Sequence, residues 1–203
     1  MDIFKELIKK LTPHFKSLGF SKKGNSFQLE HDKNYGIINF QKSRESTKDV
    51  LKFTINFGVY SNVLGQLEYA YNNLSKPEIE QCQWSSRVGA FMANNPDYWW
   101  IINSTDDLNT NTADVIDNIQ NIIIPEINKR LADEGLINSW LNENNAGTTE
   151  IGRFKYLTTL LKVKGDFNAL HNIIETFMQQ MKGKPNAKLA IEHLKEIDLT
   201  YQS

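Results

Sequence analysis

The side chains best suited to hold a small polar or anionic ligand in this 203-residue chain are Arg87, the amides Asn39, Gln41 and Asn56, and the indoles Trp84 and Trp100. A guanidinium gives paired hydrogen bonds to a carboxylate or phosphate. Amides fix orientation, and indoles supply flat apolar walls. Alternation places Asn39, Gln41, Thr54 and Asn56 on one side of two extended segments, with Gln28 and Glu30 nearby. Arg87 and Trp84 arrive from a later segment, and the Trp99-Trp100 pair from the next. Plain packing is the competing reading. The solvent side of an antiparallel sheet is polar in any case, and a tryptophan belongs more often to a core than to a ligand. Arg87 can also simply pair with a carboxylate such as Glu30.

Other chemistry is sparse. Gly19-Phe20-Ser21-Lys22-Lys23-Gly24-Asn25-Ser26 has the glycine spacing of a phosphate loop, but Asn25 stands where the lysine belongs. The order is also helix then strand, the reverse of what brings a helix N-terminus to a phosphate. A turn with exposed lysines is the plainer account. His14, His31, His171 and His193 never recur at i, i+3 or i+4, and Cys82 stands alone. No metal site is expected, and no cofactor or catalytic residue is assigned. Asp106-Asp107 is read as preceding or capping a helix.

Composition bounds the rest. Hydrophobic residues make up 40% and charged residues 23%, enough for a folded core. A net charge of −1 argues against a protein that coats nucleic acid. Charge is uneven, however. Six lysines fall within the first 23 residues, and the charge balance over residues 106–143 is acidic. Two solvated helix faces explain this most simply; a basic patch for an acidic partner is the sharper reading. A single cysteine and a charged N-terminal stretch point to the cytoplasm, and no apolar run is long enough for a membrane span.

The elements that must position these side chains read as α+β. Ile3, Phe4, Leu7, Ile8, Leu11, Phe15 and Leu18 form an amphipathic helix, bent or broken near Pro13 and stopped at Gly19. Three antiparallel strands follow: Phe27 to His31, Tyr35 to Ser43, and Val50 to Tyr60. The last has Leu51, Phe53, Ile55, Phe57 and Val59 inward and Lys52, Thr54, Asn56 and Tyr60 outward. Val63, Leu67, Tyr71 and Leu74 suggest a short helix. Arg87 to Met92 and Tyr98 to Ile102 suggest two more strands around a turn at residues 94–97, for a sheet of about five strands. A helix starting at Asn111-Thr112-Ala113-Asp114 is kinked or divided by Pro125. Three further helices complete the chain. The expected division is an α+β domain over 1–147 and a helical C-terminal subdomain over 148–203. The core is expected at Phe53, Ile55, Phe57, Ile38, Phe40, Leu7, Leu11, Ile119 and Ile123.

Leu18-Gly19-Phe20, then Lys22-Lys23-Gly24 with Phe27, Asn39 through Ser43, Phe53 through Tyr60, Cys82-Gln83-Trp84 leading to Arg87-Val88-Gly89, and Trp99-Trp100 occur in this order. The series resembles the signature blocks of the bacterial domain-of-unknown-function 4304 family over roughly residues 1–130. The resemblance implies an N-terminal helix with a meandering sheet and implies no activity. The function expected is a non-enzymatic binding protein of the bacterial cytoplasm. It would use the polar sheet face toward a protein partner or small polar ligand. The alternative is an enzyme acting on a small polar or phosphorylated substrate, with Arg87 as anion clamp, Gln41 and Asn56 orienting, and Glu30 or His31 as base. A closed cleft with these groups converging favours the enzyme; an open face favours binding.

Overall fold

A computed structural model describes residues 2–68, 76–93, 97–143 and 147–199. The first helix, α1 (Ile3–Ser17), starts at Asp2, whose carboxylate accepts from the amides of Phe4 and Lys5 at 3.1 and 3.4 Å. Pro13 does not end it. The last turn is held from outside, with Phe15 stacked on Phe27 at 3.8 Å. Gly19, at φ +84°, then takes the left-handed conformation that closes the helix. The Phe20 amide donates back to the Phe15 carbonyl at 3.0 Å and that of Gly19 to Lys16 at 3.1 Å.

Six strands form one antiparallel sheet: β1 (Ser21–Lys23), β2 (Ser26–His31), β3 (Asn34–Lys42), β4 (Val50–Tyr60), β5 (Trp84–Arg87) and β6 (Trp100–Asn103). The order is β1-β2-β3-β4-β5, with β6 also paired to β4. β5 binds Asn56 to Val59 and β6 binds Val50 to Phe53, so the two short strands share one edge of β4 end to end. The β2–β3 turn carries Asp32 and Lys33 at φ +48° and +70°, the backbone of a tight two-residue hairpin.

Two strand expectations shift. The strand expected at Arg87 to Met92 ends at Arg87, and Val88–Phe91 form a 3₁₀ turn. Val88 is buried, and Phe91 packs against Phe57 at 5.6 Å. Residues three apart share a side in a helical turn but would be split by a strand. β6 begins at Trp100 and not at Tyr98. The short strand β1 was not anticipated. Of the short helix, α2 (Asn62–Glu68) is seen; Tyr71, Leu74 and the turn at 94–96 lie outside the described residues.

The next helix, α3 (Leu108–Asn118), begins a turn before the expected start, because Asp107 is its cap and not a residue of the Asn111 to Asp114 box. A π turn (Ile119–Ile123) leads into α4 (Ile124–Arg130). Pro125 has no amide to continue the ladder, and the wide turn just before it divides the helix. An unanticipated α5 (Asp133–Asn142) follows, then α6 (Glu150–Lys164), α7 (Phe167–Gln180) and α8 (Pro185–Glu196). All nine expected core residues are at most 1% exposed. Leu157, Leu160 and Leu161 of α6 join that core, while Phe154 joins a smaller cluster with Phe177, Met178, Ala190 and Leu194.

A charge is buried where these layers meet. Arg130 is 1% exposed, is paired with Glu126 at 2.6 Å and with Glu143, and lies 4.1 Å over the Trp84 ring. Burial alone would raise the Glu143 pKa; its bond from Lys129 and the Arg130 charge hold it below the usual carboxylate range. Two of the eight carboxylates at 106–143, Glu126 and Glu143, are thereby bound internally.

Two consequences can be measured. A Cβ on Gly58 would stand 2.6 Å from the Trp84 carbonyl oxygen and 2.9 Å from Cys82 Cβ. Gly58→Ala is expected to destabilise by about 1–3 kcal/mol in denaturant unfolding. In α8, burial of His193, helped by the nearby Lys155 charge and opposed by a bond to the Lys155 carbonyl, brings its pKa down to about 4. The unfolded chain then binds more protons than the folded one between pH 4 and the ordinary histidine value of about 6.5. Stability should rise with pH across that window in the wild type. In His193→Gln the rise should be smaller.

Candidate functional site

The polar face is built by register. Pairing sets Ser26, Asn39, Asn56 and Arg87 side by side across β2, β3, β4 and β5. Gln41 lies two positions along β3, opposite Thr54. Because directly paired residues project from the same side of a sheet, this row faces away from Phe53, Ile55 and Phe57.

The row is bonded to itself. The Asn56 amide donates to Gln41 Oε1 at 2.8 Å, and Arg87 Nε donates to Asn56 Oδ1 at 3.4 Å. Asn39 donates to Ser26 Oγ at 2.9 Å. Arg87 pairs with Asp97 at 2.6 Å, and the Trp99 indole N–H donates to the same carboxylate oxygen at 3.1 Å. Both Arg87 and Lys52 lie over the Trp99 ring, at 5.2 and 5.4 Å. Lys52 is also paired with Glu45. Arg87, Asn39, Asn56, Lys52 and Trp99 are half-buried and Gln41 is exposed, so the row lines an open face. Ile101, 59% exposed and paired with Lys52, adds an apolar margin.

Trp84 and Trp100 are not part of this surface. Trp84 pairs with Val59 and Trp100 with Phe53, which puts both indoles on the core side. Trp84 is fully buried against Phe57, and Trp100 stacks on Phe53 at 5.2 Å while donating to Asp114 at 2.7 Å. The aromatic that does reach the polar face is Trp99, one residue before β6. Alternation from the Trp100-Ile101-Ile102 run contained that signal, since Trp99 must oppose Trp100. Asp97 had no signal beyond its place at the end of the expected turn.

The outward face is also partly roofed. Gln28 points to the polar side but is 2% exposed and donates to the Pro77 carbonyl at 2.7 Å. Thr54 is fully buried, its hydroxyl donating to the Tyr98 carbonyl at 2.9 Å. The chain segments before β5 and before β6 therefore frame the open row on two sides.

The candidate bases are elsewhere. Glu30 pairs with Tyr35, four residues along β3 from Asn39, about 13 Å away at strand rise. His31 sits at the hairpin turn beside Asp32. Burial pushes the Cys82 thiol up, away from thiolate chemistry. The Asp107 carboxylate is held below its usual range by the Asn109 amide and the Thr110 hydroxyl, which is the work of a helix cap. Among the described residues, no three His, Cys, Asp or Glu side chains are placed to hold a metal ion. No described helix is long and apolar enough to cross a membrane.

No curated protein and no solved structure matches the chain. A family model does match. The one described as a domain of unknown function, DUF4304, matches residues 11–129, which is 119 of 203 residues, and the chain belongs to that family.

Proposed function

We propose that this protein is a non-enzymatic binding protein of the bacterial cytoplasm that docks a protein partner, or a small polar ligand, on the polar face of its sheet. Arg87, Asn56, Gln41 and Asn39 form the centre and Trp99 the aromatic wall. Trp84 and Trp100 hold the strands from beneath. The observation that carries the reading is the Arg87–Asp97–Trp99 arrangement on an open row of amides. The guanidinium is fixed by one carboxylate and one ring, and donors remain for an incoming acceptor. A partner meets groups already held in place, so less side-chain freedom is lost on binding. An aromatic and an arginine together are the residue types that dominate binding energy at protein interfaces.

The alternative, an enzyme acting on a small polar or phosphorylated substrate, requires a general base within hydrogen-bond reach of the row. Neither Glu30 nor His31 is near enough, and the Arg87 charge is already met by Asp97. Binding is therefore the better-supported reading.

Affinity capture from the native organism, read by mass spectrometry, tests it. A partner recovered by the wild type and by Lys188→Ala should fall at least tenfold with Arg87→Ala and with Trp99→Ala. Unchanged recovery of every partner by both variants would remove this face from the function.

A further inference from the structure

A second surface lies on the other side of the sheet. There α1, packed on the apolar side through Phe4 and Phe15, runs beside the β1–β2 hairpin. The groove between them has a volume of about 770 Å³. Lys5, Lys9 and Lys16 line it from α1 and Lys22 from β1, over a floor that includes Ile8 and Pro13.

Its charge is uncompensated. None of these four lysines forms an ion pair with a described residue, and all four are exposed. Their neighbours differ: Lys23 pairs with Glu78 at 2.7 Å, and Lys10 bonds to Asn109 at 2.8 Å. The groove thus concentrates four free positive charges in a chain whose net charge is −1. A cleft lined by one sign of charge focuses the field and attracts the opposite sign.

Spacing selects among anions. Lys5 and Lys9 are one helical step of four residues apart, about 6 Å along the axis. Alternate side chains of an extended peptide recur at about 6.6 Å. Lys5 to Lys16 spans about 16 Å, the length of about five extended residues. Single-stranded nucleic acid needs aromatic platforms for its bases, and among the described residues no aromatic side chain lines this groove. Ile8 and Pro13 instead offer an apolar floor to the side chains between the carboxylates.

We propose that this groove docks an extended acidic peptide segment of a partner protein, with carboxylates two positions apart meeting Lys5 and Lys9, a further one reaching Lys16 on the same wall, and Lys22 on the other. The site is independent of the polar sheet face.

Fluorescence anisotropy at low salt tests it with a fluorescein-labelled peptide of five Glu-Ala repeats and, separately, a labelled decathymidylate. The wild type should bind the peptide saturably, and more tightly than the oligonucleotide. Combining Lys5→Gln, Lys9→Gln, Lys16→Gln and Lys22→Gln should weaken peptide binding at least tenfold. Combining Lys182→Gln, Lys184→Gln, Lys188→Gln and Lys195→Gln, the same change in net charge elsewhere, should alter it less than twofold. Circular dichroism checks folding, and Lys9→Gln alone, expected to weaken binding about threefold, serves if the fourfold variant is not folded. No saturable binding by the wild type, equal weakening by the two fourfold variants, or tighter binding of the oligonucleotide would each overturn the assignment.

Discussion

Strand β4 is the constraint on which the molecule depends. Its eleven residues put Leu51, Phe53, Ile55, Phe57 and Val59 into the core, all at most 2% exposed. Each such burial contributes about 1.5–3 kcal/mol. A slip of one residue would turn every one of these side chains to the other face, so the register is strongly set. With the register set, the intervening residues have no choice of side. Asn56 must meet Asn39 and Arg87, and Lys52 must meet Ile101. The candidate surface is thus a consequence of the hydrophobic pattern beneath it.

β4 also carries its neighbours asymmetrically, with β3 along one edge and β5 and β6 sharing the other. The segment joining β5 to β6 leaves the sheet after Arg87 and returns at Trp100. Arg87 is bonded to Asp97 of that segment, so one side chain both presents the polar row and ties down the returning chain. Such exposed pairs contribute little to stability, about 0–1 kcal/mol. Their value here lies in position: they hold the guanidinium and the indole in one geometry. Beneath, the Arg130 cluster fixes Trp84 from the other side. Removing one partner from a buried pair of this kind typically costs about 3–5 kcal/mol.

Where periodicity was strong, the sequence was readable. The β2, β3 and β4 segments, α1, and the C-terminal helices all follow from repeats of two or of three to four residues. The nine core residues follow from the same repeats. Short elements were not readable in this way. Val88–Phe91 has four residues, too few to separate a helical turn from a strand, and the packing of both Val88 and Phe91 against the core decided it. The helix start moved to Asp107 because an aspartate with following amides caps as well as the Asn-Thr box does. At the site, Asn39, Gln41, Asn56 and Arg87 were legible because alternation and strand order place them. Trp84 and Trp100 were misplaced because their strands' faces depend on which β4 residue each one meets, a tertiary fact. Asp97 was invisible for the same reason: its role comes from Arg87 lying across a ten-residue gap.

The central claim is that β4 is the innermost element, held on both edges. Residue-resolved hydrogen exchange measures this directly. The account predicts that β4 amides paired to β3, β5 or β6 are among the slowest in the chain and exchange only through global unfolding. Exchange of those amides faster than in the terminal helix α8 would contradict it, and the polar row would lose the strand that positions it.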